Sequence, residues 1–387
     1  MLRISLKKSL HKMLIIYPLL NLLFCWLNKG DGMNGFSCLY CLIMVFGVWM
    51  IKKRIARGVC FVVAVGALDI IVTFAREERM SDISYVFLFL VCMLILLTYS
   101  DDIIKIDEIE NIISTNRKLV HIVNICFIFG LLLYVQIHGL RAGWNTWVLQ
   151  GPYNYPHTLA YLILFLLLQE LYLFIKGKDK VAALILIALA IALFMTAVRT
   201  AILALVVVVF YVMYQFLDSK QFKRFLLICA ALLILAILLY KRGTFESLID
   251  KTQRAISNGS ISNGRAKIYL SSLGTINKHE ILACTVGVGL SQLLNHNLHM
   301  LGAAIHAHND FIDVLVCYGG LSLFAYVYTF MLFIKKSKFW NGCLLGILIF
   351  FNGLFPYVDC LPIIIYSRLL FESGKGRTAY EKNSVRM

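Results

Sequence analysis

A short polar stretch with two histidines and two aspartates stands directly before a long apolar run in this chain. Its polar residues are His306, His308, Asn309, Asp310 and Asp313. The run 314–334 that follows is almost wholly apolar. Imidazole is the side chain whose proton affinity lies nearest to neutral pH, which makes it a frequent general base. The stretch therefore predicts proton-transfer chemistry where a membrane helix begins.

His308 is the strongest candidate for that base. We expect a helix to begin about one residue later, with Asn309 as its N-cap. The positive end of that helix disfavours imidazolium at position 308, whereas Asp310 and Asp313 favour it. These opposed effects predict a pKa near neutrality for His308. That value suits a general base, although an ordinary interfacial histidine fits the same pattern.

Arg199 is the second residue whose position suggests chemistry. It lies between the apolar runs 181–198 and 201–216, which almost no loop separates. An arginine at that depth is costly unless it reaches the surface, pairs with an anion, or faces a water-filled cavity. Arg199 therefore either caps a helical hairpin at the membrane surface or holds an anionic group.

Histidines in the same region raise the question of a metal site. His306 and His308 have metal-ligand spacing, and His296 and His299 lie close in sequence. No His-Glu-x-x-His helix motif and no Asp-x-Asp pair accompanies them. The sequence therefore predicts no metal site, and it gives no sign of another cofactor.

The elements that must position these residues are membrane helices. Of the 387 residues, 60% are hydrophobic and only 15% are charged, far from the average soluble domain. Repeated apolar runs of about 15 to 20 residues are typical of helices that cross a hydrocarbon core. The fold class predicted is an all-α polytopic membrane protein that forms a single integral-membrane domain over 1–387. The twelve predicted spans are 13–27, 36–51, 58–75, 84–99, 119–136, 157–175, 181–198, 200–217, 225–240, 311–334, 341–357 and 360–372.

The distribution of Lys and Arg predicts the orientation of these spans. Every second connection is rich in basic residues, and the positive-inside rule places such connections in the cytoplasm. Both termini are then cytoplasmic, in an inner (plasma) membrane protein whose first span is a retained anchor. The segment 241–306, between spans nine and ten, becomes one large extracytoplasmic (periplasmic) loop. The net charge of +16 follows from topology and gives no reason to expect a nucleic-acid partner.

Three smaller patterns have structural interpretations. The inner loop 100–118 mixes acidic residues with isoleucines, which favours an amphipathic helix on the membrane surface. The glycine-rich segment 285–290 is too short for a dinucleotide-binding motif and indicates a close-packed turn. The segment 151–157 holds two prolines and predicts a bent start for the sixth span. Tyr153 and Tyr155 are expected there as interfacial anchors, and His157 as an interface histidine or a site residue.

The motifs resemble those of the bacterial O-antigen polymerase and O-antigen ligase superfamily. His308-Asn309, nine residues and then Gly319 resemble the signature of that superfamily. Further resemblance lies in Thr196-Ala-Val-Arg199-Thr, in Gly264-Arg265-x-x-Ile-Tyr269 followed by Gly287-Val-Gly289, and in Gly151 to Ala160. The resemblance covers roughly 150–335. Two positions depart from the pattern, because Ser322 replaces a glycine and His157 replaces an asparagine.

The resemblance implies a membrane glycosyltransferase that moves a glycan from an undecaprenyl-diphosphate carrier to an acceptor hydroxyl. It implies His308 as the catalytic base, and Arg199 and Arg265 as residues that bind the substrate diphosphate. The other polar residues would support them: His157, His306, Asn309, Asp310 and Asp313. The implied partners are the lipid-linked oligosaccharide and membrane lipids, with a chain-length regulator and a flippase as further candidates.

Three functions remain open at the level of sequence. A polymerase of O-antigen or another surface polysaccharide would join repeat units, and we favour it because the match to ligases weakens at Ser322. A ligase would transfer the finished polysaccharide to lipid A–core during lipopolysaccharide biosynthesis. A polysaccharide transporter or flippase fits twelve spans, but no repeated halves are visible.

Overall fold

A computed structural model describes residues 2–29, 33–76, 80–100, 106–142, 147–177, 179–216, 265–276, 281–336, 339–356, 367 and 369–371. These residues are mostly helical. The first nine helices are α1 Leu2–Leu27, α2 Met33–Lys52, α3 Val59–Ala75, α4 Met80–Ser100, α5 Ile106–Thr115, α6 Arg117–His138, α7 Pro156–Gly177, α8 Lys180–Met195 and α9 Arg199–Phe216. The later ones are α10 Arg265–Gly274, α11 Ile281–Val286, α12 Leu290–Leu301, α13 Asp310–Lys336 and α14 Phe339–Phe351. Two short antiparallel strands, β1 Arg141–Ala142 and β2 Trp147–Val148, lie before α7.

The helices confirm an α-helical, multi-pass membrane protein. Five of them are long and apolar enough to cross a membrane: Gly35–Lys52, Asp82–Ser100, Arg117–His138, Pro156–Lys176 and Asp310–Lys335. The shorter helices α1, α3, α8, α9 and α14 also contain apolar stretches. Each of these ten helices overlaps a predicted span. The span at 225–240 and most of that at 360–372 lie outside the described residues, so the total of twelve stays a prediction.

The predicted inner-surface helix and part of the predicted outer loop are helical. The helix α5 occupies the centre of 100–118, and Glu110 on it accepts a hydrogen bond from Lys176 Nζ at 2.5 Å. Within 241–306, the described residues form α10, α11 and α12. The described part of the predicted loop therefore contains three short helices.

The helix α13 is sharply folded at Gly319. The hydroxyl of Tyr326 donates to Asp310 Oδ2 at 2.6 Å, across 16 positions of sequence. The rings of Phe311 and Phe330 are centred 6.4 Å apart. Residues 16 positions apart on a straight helix would be separated by about 24 Å. The short helix 310–318 therefore folds back against the helix 320–336. The predicted span 311–334 overlaps an apolar helix that is bent at Gly319.

Two glycines make this fold possible. Gly319 has φ 84°, and a Cβ there would lie 2.2 Å from the carbonyl oxygen of Thr285. Gly287 approaches the same bend, where a Cβ would lie 2.4 Å from the backbone of Cys317. The backbone N–H of Val288 donates to Val316 O at 2.7 Å, which satisfies a carbonyl that the bend releases. The close-packed turn predicted at 285–290 is confirmed, and its contact is the fold of α13.

Candidate functional site

The loop that carries His308 connects α12 to α13. Gly302 ends α12 in the left-handed conformation, and Asn309 begins α13. Asn309 Oδ1 accepts hydrogen bonds from the backbone N–H of Phe311 at 3.0 Å and of Ile312 at 3.3 Å. This is the N-cap predicted for Asn309, and it satisfies backbone donors of the first helical turn.

His308 itself has a backbone conformation that is uncommon for a residue with a Cβ atom. Its φ is 57°, in the left-handed region. Asp313, one turn into α13, accepts a hydrogen bond from Ala307 N at 2.9 Å through Oδ1. The backbone N–H groups of His308 and Asn309 face the same carboxylate. The carboxylate thus contacts the backbone on both sides of His308.

His306 lies on the ring of Tyr85 in α4. The two rings are centred 4.8 Å apart and lie nearly parallel, at 11°. His306 Nδ1 is 3.9 Å from Asp313 Oδ1, which is beyond hydrogen-bond length. Burial lowers the pKa of His306 to about 4, so that this ring is neutral at neutral pH.

Asp310 is fully buried and holds the histidine loop to the end of α14. Its Oδ2 accepts hydrogen bonds from the hydroxyl of Tyr326 at 2.6 Å and from Leu354 N at 2.8 Å. A Cβ atom on Gly353 would lie 2.7 Å from Asp310 Oδ1, so a glycine is needed there. Asp310, one of the residues predicted to support the site, therefore joins the two arms of α13 to the segment that follows α14.

Arg265 is the first residue of α10, and a buried amide couples that helix to the histidine loop. Asn297 Nδ2 donates to Ile305 O at 2.7 Å and to Ser272 Oγ at 3.1 Å. Ser271 Oγ donates in turn to Asn297 Oδ1 at 2.8 Å. Asn297 thereby joins α10, α12 and the loop that leads to His308.

The electrostatic surroundings of His308 differ from those expected. Burial, the positive charge of Arg265 and the neighbouring His306 together lower the pKa of His308 to about 4. The near-neutral pKa predicted for His308 is therefore wrong. Asp310 and Asp313, which were expected to favour the imidazolium, are not among the groups that shift this pKa. Asp310 accepts a hydrogen bond from Tyr326, and Asp313 accepts one from Ala307 N. His308 is neutral at neutral pH and can accept a proton.

Arg199 follows a tight, buried turn between α8 and α9. Ala197 has φ 54°, and Thr196 Oγ1 donates to Leu193 O at 2.7 Å. Arg199 is partly buried, and among the described residues none forms a hydrogen bond or ion pair with its side chain. No contact of the described residues joins Arg199 directly to His308. Arg265 is near enough for its charge to lower the pKa of His308, whereas Arg199 lies in a separate turn.

The Arg199 turn and the histidine loop nevertheless share one end of the helix bundle. Leu149 N donates to Met195 O at 2.9 Å, which places the segment before α7 beside the turn before α9. Tyr161, about one turn beyond His157 in α7, donates to Gly353 O at 3.2 Å. Leu354 N binds Asp310, so the start of α7 lies near the start of α13.

The segment before α7 is bent, as its prolines predicted. Gln150 Nε2 donates to Tyr153 O at 2.6 Å and to Asn154 O at 2.7 Å. Tyr155 is 62% exposed, which suits an interfacial anchor, but Tyr153 is 1% exposed and packs in the core. His157 is partly buried in the first turn of α7. The anchor role expected for Tyr153 is therefore wrong.

Sequence reasoning missed Tyr85, Asn297 and Asp69. Asp69 lies inside α3 and accepts hydrogen bonds from Ser322 Oγ at 2.8 Å and 2.9 Å. The signal for this pair was an acidic residue inside an apolar run, together with a serine at the position of an expected glycine. Tyr85 and Asn297 carried no comparable signal, because an aromatic residue in a span and an amide in a polar loop are both ordinary.

Comparison with known proteins gives one family. The model of the family described as O-antigen ligase matches residues 183–327, which include Arg199, Arg265, His308 and Gly319. A search of curated proteins gives no match to the chain. The family indicates an O-antigen ligase or polymerase type of function, as a membrane glycosyltransferase-like enzyme with lipid-linked sugar substrates. The resemblance of this chain to the O-antigen polymerase and ligase superfamily is confirmed by that match.

Proposed function

We propose that this protein is a polymerase of O-antigen or a related surface polysaccharide. It transfers a glycan from an undecaprenyl-diphosphate carrier to a hydroxyl of another lipid-linked repeat unit, outside the inner membrane. The observation that carries the proposal is a buried histidine whose pKa is lowered by burial and by the charge of Arg265, inside the segment that matches the family. One group can accept a proton and the other can bind a phosphate.

His308 acts as the general base in this reaction. The acceptor oxygen attacks the anomeric carbon, its proton passes to the imidazole, and the bond from that carbon to the diphosphate oxygen breaks. The electron pair of the broken bond stays on the departing lipid diphosphate. A single displacement of this kind inverts the anomeric carbon. The diphosphate is already a good leaving group, so the proposed reaction requires no metal ion.

Arg265 and Arg199 hold the diphosphate. Guanidinium groups bind phosphate oxygens in pairs, and fixed cations stabilise the charge that grows on the leaving group. Arg265 lowers the pKa of His308 in the free protein. A diphosphate bound at Arg265 offsets that charge and raises the proton affinity of the base. The base therefore becomes stronger when the donor is in place.

The second candidate is a ligase that moves finished polysaccharide to lipid A–core, since the matching family is described as O-antigen ligase. Both activities need the same base and the same cations, and they differ in the acceptor. The further partners, a chain-length regulator and a flippase, belong to the polymerase proposal. The proposed orientation has both termini in the cytoplasm and 241–306 outside.

Complementation of a null strain of the source organism separates these functions. The wild-type chain, His308→Ala and the control His299→Ala are compared at matched membrane abundance, because His299 is an exposed histidine on α12. For a polymerase, wild type and control restore a polysaccharide ladder, and His308→Ala leaves a single repeat unit. Accumulation of polymer on the lipid carrier in the null strain would favour the ligase. A null strain with neither defect would contradict glycan transfer and favour transport.

A further inference from the structure

The carboxylate of Asp313 is directed at the backbone of the loop that carries His308. Asp313 Oδ1 accepts from Ala307 N at 2.9 Å, and Asp313 N donates to Asn309 O at 2.9 Å within the first turn of α13. The side chain is 1% exposed. Asp313 thereby connects a rigid helical turn to the residues that flank His308.

The backbone of His308 requires such support. A φ of 57° is disfavoured for a residue with a Cβ atom, and it persists only where surrounding contacts hold it. Asn309 anchors the chain on one side through its N-cap bonds. Ala307, 0% exposed, is held on the other side by Asp313. Without the carboxylate, Ala307 N–H would be a buried donor without this acceptor, and the loop would relax toward another conformation.

We propose that Asp313 is a positioning residue that fixes the imidazole of His308 for proton transfer. The inference rests on the proposed function, because it assumes that His308 is the base. Asp313 acts through the backbone and does not touch the donor. Its loss therefore lowers the turnover rate and leaves donor binding at Arg265 and Arg199 unchanged.

The size of the effect follows from the sensitivity of proton transfer to distance. A displacement of about 1 Å at a reacting group lowers the rate roughly a hundredfold. Asparagine at position 313 keeps an oxygen that can accept from Ala307 N–H. Leucine has a similar volume and no acceptor. The two variants therefore separate the loss of the hydrogen bond from the loss of side-chain volume.

The test measures kcat and donor KM for the purified full chain in lipid vesicles. The probe is the lipid-linked repeat unit isolated from the cells that make it, and the variants are Asp313→Asn, Asp313→Leu and His308→Ala. We expect Asp313→Leu to lose roughly a hundredfold in kcat with a donor KM within about threefold of wild type. We expect Asp313→Asn to retain kcat within about tenfold.

Other outcomes overturn the inference. Full kcat in Asp313→Leu, a raised donor KM with unchanged kcat, or failure of Asp313→Leu to accumulate in the membrane would each remove the positioning role. The His308→Ala variant separates this result from the proposed function. If His308→Ala keeps wild-type kcat, the base assignment itself fails. If His308→Ala is inactive and Asp313→Leu is active, only the role of Asp313 fails.

Discussion

His308 is neutral in the folded chain because burial and the charge of Arg265 both disfavour its imidazolium form. A neutral imidazole can accept a proton without first losing one. The same low pKa makes it a weak base until an anion offsets the charge of Arg265. At the scale of single residues, the pH dependence of the reaction therefore tests whether His308 and Arg265 act together.

The value of kcat/KM should fall on the acidic side of its pH profile, and the position of this acid limb should reflect the pKa of His308 in the free enzyme. We expect the limb near pH 4 in wild type, because the pKa of His308 is about 4 and protonation below that value removes the base. In Arg265→Gln the limb should move to higher pH, since the charge that lowers the pKa is gone. Lys267→Gln, an exposed residue on the same helix, is the control. A limb that stays in place in Arg265→Gln would contradict the coupling.

Stability should also depend on pH through the two histidines. The pKa of His306 and of His308 is about 4 in the folded chain, against 6.5 for an unperturbed histidine. Between these values the unfolded chain binds more protons, so the free energy of unfolding falls as the pH falls from 6.5 to 4. Thermal unfolding in detergent at pH 7, 5.5 and 4.5 measures this. His306→Phe, which keeps a ring on Tyr85, should reduce the slope, and an unchanged slope would count against the burial of His306.

At the scale of elements, the fold of α13 places the histidine loop. The short helix 310–318 lies against the helix 320–336, and Asp310 fixes both to the end of α14. Phe89 of α4 packs against Tyr318 at 5.3 Å and Tyr326 at 5.6 Å between ring centres, so one residue supports both arms. This arrangement depends on Gly319 at the bend and on Ser322 in the second arm of α13.

Gly319→Ala should disrupt the bend. The new Cβ would collide with Thr285 O, and the left-handed backbone adds strain of about 1–3 kcal/mol. We expect a clear loss of membrane abundance and of thermal stability. Gly346→Ala in α14 is the matched control, because nothing lies within 4 Å of a Cβ there. Equal tolerance of both substitutions would show that α13 is not folded in this way.

Ser322→Ala should destabilise the packing of α3 on α13. The serine hydroxyl donates to both oxygens of Asp69, and a buried acceptor left without its donor costs about 1–3 kcal/mol. The effect of Ser322→Ala should shrink in an Asp69→Asn background, because residues in one hydrogen bond are not additive. Thermal unfolding of wild type, Ser322→Ala, Asp69→Asn and the double variant completes this double-mutant cycle. Additive losses would mean that this contact does not contribute to stability.

At the scale of the whole molecule, hydropathy predicted most of the helices, and it could not predict the fold of α13. Apolar runs report burial in lipid, so the positions of α2, α4, α6 and α7 follow from composition. The bend at Gly319 depends on contacts between residues far apart in sequence, such as Asp310 with Tyr326, and a straight helix has the same hydropathy. The N-cap at Asn309 was predicted correctly because an asparagine directly before the start of a helix is a local signal.

In the candidate site too, features with a local signal were predicted, and features that depend on contacts between distant residues were not. Residue types made His308 a candidate, and the resemblance to the family added Arg265 as a second one. Both lie within the range that the family model matches. The pKa of His308 was misjudged because it depends on burial of the ring, and then on the charge of Arg265 and on His306. Burial and these neighbours are fixed only when the helices pack. The placement of α10, which begins at Arg265, against the histidine loop depends in the same way on Asn297.

A single-turnover measurement on a lipid-linked donor in vesicles tests most directly whether His308 is the base of the glycan transfer. Purified wild type, His308→Ala and the control His299→Ala receive the same amount of polyprenyl-diphosphate-linked repeat unit. Release of polyprenyl diphosphate and growth of the glycan are then followed together. We expect both in wild type and in the control, and a loss of roughly a hundredfold or more in His308→Ala, as for removal of a general base. A folded His308→Ala chain that releases the carrier at the wild-type rate would contradict the role of His308 as general base.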